Sequence, residues 1–386
     1  MRVAILTSGI LPVPAVRGGA VENLIDFYLE YNEQHHLHDI TVYSVWHPDV
    51  DKHTALSSIV NHYVFIKTDG WWGKLKKYVF RKKNSHTYYH YSIEFFLSEV
   101  IKDIRKKHFD AIILENRPAY SLKLKTETNA KIIYHLHNDN LNKSVPQAHA
   151  LYNNADHIIT VSDYIKERVQ TIMPQDTKTI TILNGINLAM FAPLADENRK
   201  QHDDFLMVFS GRLIPEKGIL QLIKAMQQLK TYSDIKLVII GSGSLGNNQS
   251  PTHFQEQLKE ASQDLDNIHF TGYITYKEMA HYLQKADIAV LPSIWEEPFG
   301  LTMAEAQAAG LPIITTSQGG IPEVVSEQNA ILLDVNEHFV DNLAAAILDL
   351  YQHPEKRQQM SKASLERAKL FDKETYAKNF FKALEA

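Results

Sequence analysis

Residues 287–323, DIAVLPSIWEEPFGLTMAEAQAAGLPIITTSQGGIPE, constrain this chain more than any other stretch. The first seven are a short apolar run rich in β-branched types, the composition of a strand buried on both faces. A polar turn over 293–297 follows. Pro298, Phe299 and Gly300 then lead into LTMAEAQAAG, whose Ala, Leu, Met and Glu favour helix up to a C-cap glycine at 310. GLPIITTS returns to strand character. Strand, loop, helix, loop and strand form one βαβ unit, which commits the chain to a parallel sheet covered by helices. The loop after the first strand lies at the sheet's carboxyl edge, facing the helix's unpaired N–H groups, where an anion binds readily. Two carboxylates bracket that place, Glu297 in the loop and Glu305 one turn into the helix. A Glu near a helix N-terminus gains ~0.3–1 kcal/mol from the macrodipole, so spacing alone leaves structural and ligand-binding roles equally open.

The same βα rhythm runs through the rest of the chain. A length of 386 residues accommodates two domains of ordinary size. With 44% hydrophobic and 22% charged residues the composition is that of a soluble globular protein, and a net charge of −5 gives no basis for general nucleic-acid affinity. Cysteine is absent, which excludes disulfides and thiolate metal sites and suits a reducing cytoplasm. No apolar run reaches the roughly 20 residues that span a bilayer. The opening MRVAILTSGILPVP is broken by Pro12 and Pro14, and reads as a first buried strand rather than a signal peptide.

Gly18 and Gly19 follow that strand and precede AVENLIDFYLEYN, where Val21, Leu24, Ile25, Tyr28 and Leu29 recur at helical spacing. Paired glycines before a helix serve either as a flexible turn or as a close backbone approach to an anionic ligand. HDITVYSVW and VNHYVFI are strands. Between them Asp49 and Asp51 form an Asp-x-Asp pair, read here as a solvated turn, and the His35, His36 and His38 cluster is expected to be exposed rather than metal-bound. Residues 71–83 interleave Trp71, Trp72, Tyr78 and Phe80 with Lys74, Lys76, Lys77, Arg81, Lys82 and Lys83. That pattern fits a cationic, aromatic segment at a membrane surface and equally a surface helix with snorkelling lysines. AKIIYHLHNDN ends a later strand in polar residues; His135 and His137 fall on one face of it, placed for proton transfer, hydroxyl binding or packing on the sheet.

ILNGINLAMFAPL followed by ADENRKQHDD reads as a crossover and linker, with the boundary between 184 and 204. The second half opens with FLMVFSGRLIPEKGILQLIKAM, in which Arg212 and Lys217 flank a strand-to-helix loop. Two cations there neutralise a diphosphate without a metal, or are simply solvated. IKLVIIGSGSLGNNQ contains the G-x-G-x-x-G spacing at Gly241, Gly243 and Gly246, but NNQSP delays the helix that a dinucleotide fingerprint must open at once. The C-terminal residues 336–386 are strongly helical.

EPFGLTMAEA with its E-x7-E spacing, GLPIITTSQGGIPE, GR followed by EKG, the early Gly-Gly and the Asn-Gly crossover together resemble family four of the retaining glycosyltransferases. The resemblance implies the GT-B fold: two Rossmann-like, doubly wound parallel-sheet domains facing each other across a cleft. The expected division is an acceptor-side domain over 1–190, a nucleotide-sugar domain over 200–370, and a last helix over 371–386 packed back on the first. It implies that Gly18 and Gly19 face the donor diphosphate, that Arg212 and Lys217 bind it, and that Gly243 and the main chain of Tyr273 and Ile274 meet the nucleoside. It further implies that Pro298, Phe299, Gly300 and Leu301 line the phosphate and sugar site. Glu305 would hold the ribose hydroxyls, Glu297 the donor sugar, and His137, with His135 as its alternative, would stand beside the reacting sugar. No metal or other cofactor is expected. The implied reaction moves a sugar from a nucleotide-sugar, a UDP-sugar being the commonest case, to a saccharide or lipid-linked acceptor for cell-surface polysaccharide or glycolipid, at the cytoplasmic face of the membrane. Two alternatives stay open: a non-catalytic nucleotide-sugar-binding subunit that stabilises a partner transferase, and a sugar-nucleotide epimerase on the same fold.

Overall fold

The computed structural model describes residues 1–68, 71–84, 87–194, 204–242 and 252–385. They build two units, Met1–Gly185 joined by Lys373–Ala386, and Ile186–Asp372. The first unit holds β1 (Arg2–Leu6), β2 (Asp39–Val45), β3 (Asn61–Ile66), β4 (Ala111–Glu115), β5 (Lys131–Leu136), β6 (His157–Thr160) and β7 (Thr179–Thr181). The second holds β8 (Phe205–Ser210), β9 (Ile235–Ile240), β10 (Ile268–Gly272), β11 (Ile288–Leu291), β12 (Ile313–Thr316) and β13 (Ala330–Leu333). All described pairings within the two sheets are parallel, in the orders β3-β2-β1-β4-β5-β6-β7 and β10-β9-β8-β11-β12-β13.

Both orders reverse direction once, between β1 and β4 in the first sheet and between β8 and β11 in the second. At such a switch point the loops leaving the two strands diverge to opposite faces and open a crevice at the carboxyl edge. The central strands are sealed on both faces, as their unbroken apolar runs require. Val3, Ala4, Ile5 and Leu6 of β1 are fully buried, as are Ile288, Ala289 and Val290 of β11.

Helix Lys373–Glu385 belongs to the first unit. Tyr376, Ala377, Phe380, Phe381 and Leu384 form its buried stripe. Phe380 stacks on Tyr28 of helix Ala20–His35 with ring centroids 4.2 Å apart and planes 4° from parallel, and Lys373 pairs with Glu30 at 2.8 Å. This packing corrects one expectation. His38 is not exposed; it is buried against Phe381 with Glu385 at 3.5 Å. Asp51, by contrast, accepts a bond from Trp46 Nε1 at 2.9 Å in a surface turn. Residues Trp71–Lys83 form one helix whose Leu75, Tyr78 and Val79 are exposed alongside Lys74, Lys76, Lys82 and Lys83, while Phe80 packs on Phe95.

Candidate active-site elements

In the second unit the switch point brings together the loops after β8 and β11. Gly218 ends the first loop with a φ of 69°, and a Cβ there would lie 1.9 Å from the Pro292 carbonyl oxygen. Only glycine lets the two loops lie so close. One backbone bond fixes the contact: Ile294 N donates to the Glu216 carbonyl at 2.9 Å. The result places Lys217 against Glu297. Their side chains form an ion pair, with Glu297 buried and Ser293 Oγ donating to the same carboxylate at 2.8 Å. Behind it, the backbone of Gly320 donates to the Glu297 carbonyl at 2.7 Å, and the close approach of Gly319 leaves no room for a side chain. Arg212 stands exposed in the loop that Lys217 closes.

Helix Leu301–Ala308 starts from Gly300, whose φ is 103°, with Pro298 and Phe299 buried before it. Glu305 is buried, and Tyr276 donates a hydrogen bond to it. Burial pushes the Glu305 carboxyl up to about 8, the tyrosine bond opposing. Tyr273 and Ile274 lie between β10 and helix Tyr276–Lys285, Tyr273 exposed and Ile274 half-buried. Gly243, together with Gly246, lies outside the described residues.

In the first unit the corresponding edge collects side chains that the sequence reading had not joined. Gly18 and Gly19 have φ of 68° and 111°, and a Cβ on Gly19 would lie 2.2 Å from the Glu22 carboxylate. The bare glycine therefore makes room for Glu22, whose carboxyl is raised to about 7 by burial, with the nearby charge of Glu115 adding to the rise. Parallel register sets Glu115 at the end of β4 beside His135 of β5, and His137 follows on the same face. His135 Nδ1 lies 3.1 Å from Glu115 Oε2 and His137 Nε2 lies 2.9 Å from it, while Tyr28 Oη donates to Oε1 at 2.9 Å. All three residues of this cluster are buried, and their ligand-type atoms lie within 4.8 Å of one another. The two histidines expected as alternatives thus share one partner, Glu115. The sequence signal for that partner was a lone carboxylate closing the apolar strand AIILE; for Glu22 it was a charge inside an otherwise apolar helical stripe.

The comparisons with known proteins define the class. The model for Glycosyltransferase Family 4 matches residues 32–190, and that for Glycosyl transferases group 1 matches residues 192–367. Spore coat protein SA of Bacillus subtilis (strain 168) is 27% identical, covering 94% of this chain and 93% of the relative. The putative glycosyltransferase YtcC of the same organism is 29% identical over 94% of this chain and 86% of its own length. Among solved structures, sucrose-phosphate synthase from Thermosynechococcus elongatus superposes with a TM-score of 0.78 at 21% identity, covering 100% of this chain and 98% of that one. Anabaena HepE in complex with UDP-glucose gives 0.74 at 19% identity, covering 100% and 99%. The two doubly wound units are those of the GT-B fold. The chain belongs to glycosyltransferase group 1, family 4, and is a glycosyltransferase.

Proposed function

We propose that the protein is a retaining, metal-independent transferase that takes a sugar from a nucleotide-sugar, a UDP-sugar in the first instance, and passes it to a saccharide or lipid-linked saccharide acceptor. The observation that carries this reading is the meeting of Lys217 and Glu297 at the switch point of the second unit, with Glu305 buried one turn into the adjacent helix. Lys217 and Arg212 supply the positive charge that a departing diphosphate needs, so no metal is required for that step. Phe299, Gly300 and Leu301 offer backbone N–H groups at a helix N-terminus to phosphate or sugar. Glu305 accepts from the ribose hydroxyls, and Glu297 holds the donor sugar and stabilises positive charge at its anomeric carbon. The leaving phosphate oxygen accepts the acceptor's proton as the new glycosidic bond forms on the face from which the old one breaks. HepE was solved with UDP-glucose, and with UDP and glucose, which supports a UDP-sugar as donor.

On the first unit Gly18 and Gly19 serve the donor diphosphate and His137 the reacting sugar. The helix Trp71–Lys83, with exposed apolar and cationic side chains on one element, is read as the contact with an anionic membrane where lipid-linked acceptors lie. No helix among the described residues is long and apolar enough to cross a membrane.

Calorimetric titration with UDP tests the donor site. Lys217→Ala is expected to weaken binding about 10- to 100-fold, the range for a lost charge-assisted bond, and Glu305→Ala to weaken it as well. Unchanged UDP affinity in both variants would show that the assigned residues are not the donor site.

A further inference from the structure

The Glu115, His135 and His137 cluster has two chemical readings, a three-ligand metal site and a hydrogen-bonded anion, and the outward ring atoms decide between them. If a metal occupied the centre, His135 Nδ1 and His137 Nε2 would ligate it as lone pairs. Their other nitrogens, His135 Nε2 and His137 Nδ1, would then carry protons. Metal-bound imidazoles donate that second N–H to a carboxylate, carbonyl or water. Here His135 Nε2 and His137 Nδ1 are buried and have no hydrogen-bond partner among the described residues. With the protons instead on the inward atoms, three donors, Tyr28 Oη, His135 Nδ1 and His137 Nε2, converge on the one Glu115 carboxylate. The outward atoms are then bare lone pairs. A lone pair without a donor leaves less unsatisfied than a buried N–H without an acceptor, because no proton is stranded.

We infer that Glu115 is the positioning residue of the first unit, locking His137 in the tautomer with its proton on Nε2 and a bare Nδ1 that accepts a hydrogen bond from a sugar hydroxyl.

The charge states agree with this arrangement. Burial alone would raise the Glu115 carboxyl, but the two imidazoles outweigh it and hold the group well below the usual carboxylate range. Burial lowers His137 to about 4 against the pull of Glu115, so the ring is neutral at physiological pH. Helix Lys373–Glu385 closes the network from outside: Phe380 lies 5.3 Å from His135, and Tyr376, 6.4 Å from the same ring, is also buried. Both rings pack on His135 from this one helix, leaving His137 outside that aromatic contact. The role parallels that of the buried carboxylate that orients a catalytic imidazole, with the two ring nitrogens exchanged. It rests on the reading of His137 as a residue that faces a reacting sugar.

The test is long-range nitrogen–proton NMR on the full chain labelled with ¹⁵N-histidine, His137 being assigned by the signals lost in His137→Asn. The wild-type protein is expected to show a protonated, pyrrole-type Nε2 and a bare, pyridine-type Nδ1. In Glu115→Gln, whose amide donates as well as accepts, the His137 signals are expected to move toward mixed tautomers. Nucleotide release from the donor sugar that wild type turns over is expected to fall about 10- to 100-fold, the range for removing a group that orients a functional imidazole. Donor KM should stay within a few-fold. Tyr28→Phe removes one of the three donors and leaves the carboxylate, so it keeps the His137 tautomer and serves if Glu115→Gln does not fold. A proton on His137 Nδ1 in wild type would overturn the inference, as would stoichiometric zinc retained by the purified protein with loss of the Nε2–H signal. Should no nucleotide-sugar be turned over while the Nε2–H tautomer is found, the functional reading fails and the positioning geometry stands.

Discussion

Gly218→Ala probes the joint on which the proposed donor site is built, and Gly272→Ala supplies its control. The two glycines have almost the same backbone, φ of +69° and +70°, so alanine meets the same left-handed strain at each, ~1–2 kcal/mol. They differ in space. At Gly272 a Cβ would meet nothing within 4 Å, whereas at Gly218 it would lie 1.9 Å from the Pro292 carbonyl oxygen. Contacts under 3.0 Å are essentially never seen for a real Cβ, so the two loops must part by about 1.1 Å. Pro292 cannot move alone. Ser293 next to it holds the Glu297 carboxylate, and Ile294 is bonded to Glu216 beside Lys217. A displacement of that size in positioning elements costs on the order of 100-fold in rate. Thermal melts and nucleotide release are the two assays. Both variants are expected to lose about 2–8 °C from strain, with Gly218→Ala losing more, and only Gly218→Ala should lose turnover about 100-fold. Equal melting temperatures and equal turnover in the two variants would refute the claim that this contact aligns Lys217 with Glu297.

Other expectations follow from single groups. Because burial raises the Glu305 carboxyl from 4.5 to about 8, the folded chain keeps a proton that the unfolded chain releases. Stability therefore declines as pH rises from about 4.5 through 8, by a few kcal/mol at ~1.4 per unit. Glu305→Gln should flatten that decline in melting curves, and an unchanged slope would refute the assignment. If ribose hydroxyls donate to an ionised Glu305, UDP binding releases a proton and tightens as pH rises toward 8, which calorimetry in buffers of different ionisation enthalpy reads directly. Neutralising Lys74, Lys76, Lys77, Arg81, Lys82 and Lys83 in helix Trp71–Lys83 should abolish flotation with vesicles containing anionic lipid, each charge contributing ~1 kcal/mol; flotation that persists would remove the membrane contact.

The proposed donor side could be written from the sequence because its parts are local. Glu297 and Glu305 stand on one loop and the helix it enters, and the Lys217 loop is bounded by a glycine whose necessity the backbone conformation explains. The alternating strands and helices likewise announced a parallel sheet, since apolar runs buried on both faces have few other uses. What was not legible depends on strand order. Glu115 meets His135 and His137 only because β4 and β5 are neighbours in parallel register, and Tyr28 joins them from a helix 87 residues away in sequence. Periodicity within each segment carries no information about that meeting. His38 was misread for the same reason: the partner that buries it, helix Lys373–Glu385, lies at the opposite end of the chain. Asn61, which receives a bond from Asn32 Nδ2 at 2.7 Å, is a further buried polar contact between helix and sheet that no spacing rule reveals.

Release of free nucleotide from a panel of UDP-, GDP-, ADP- and dTDP-sugars, each with and without EDTA, tests the central claim most directly. The account predicts turnover of one donor that survives chelation, with the anomeric configuration of the donor kept in the product. Turnover that vanishes with EDTA would contradict the role given to Arg212 and Lys217, and silence on every donor would contradict the proposed reaction itself.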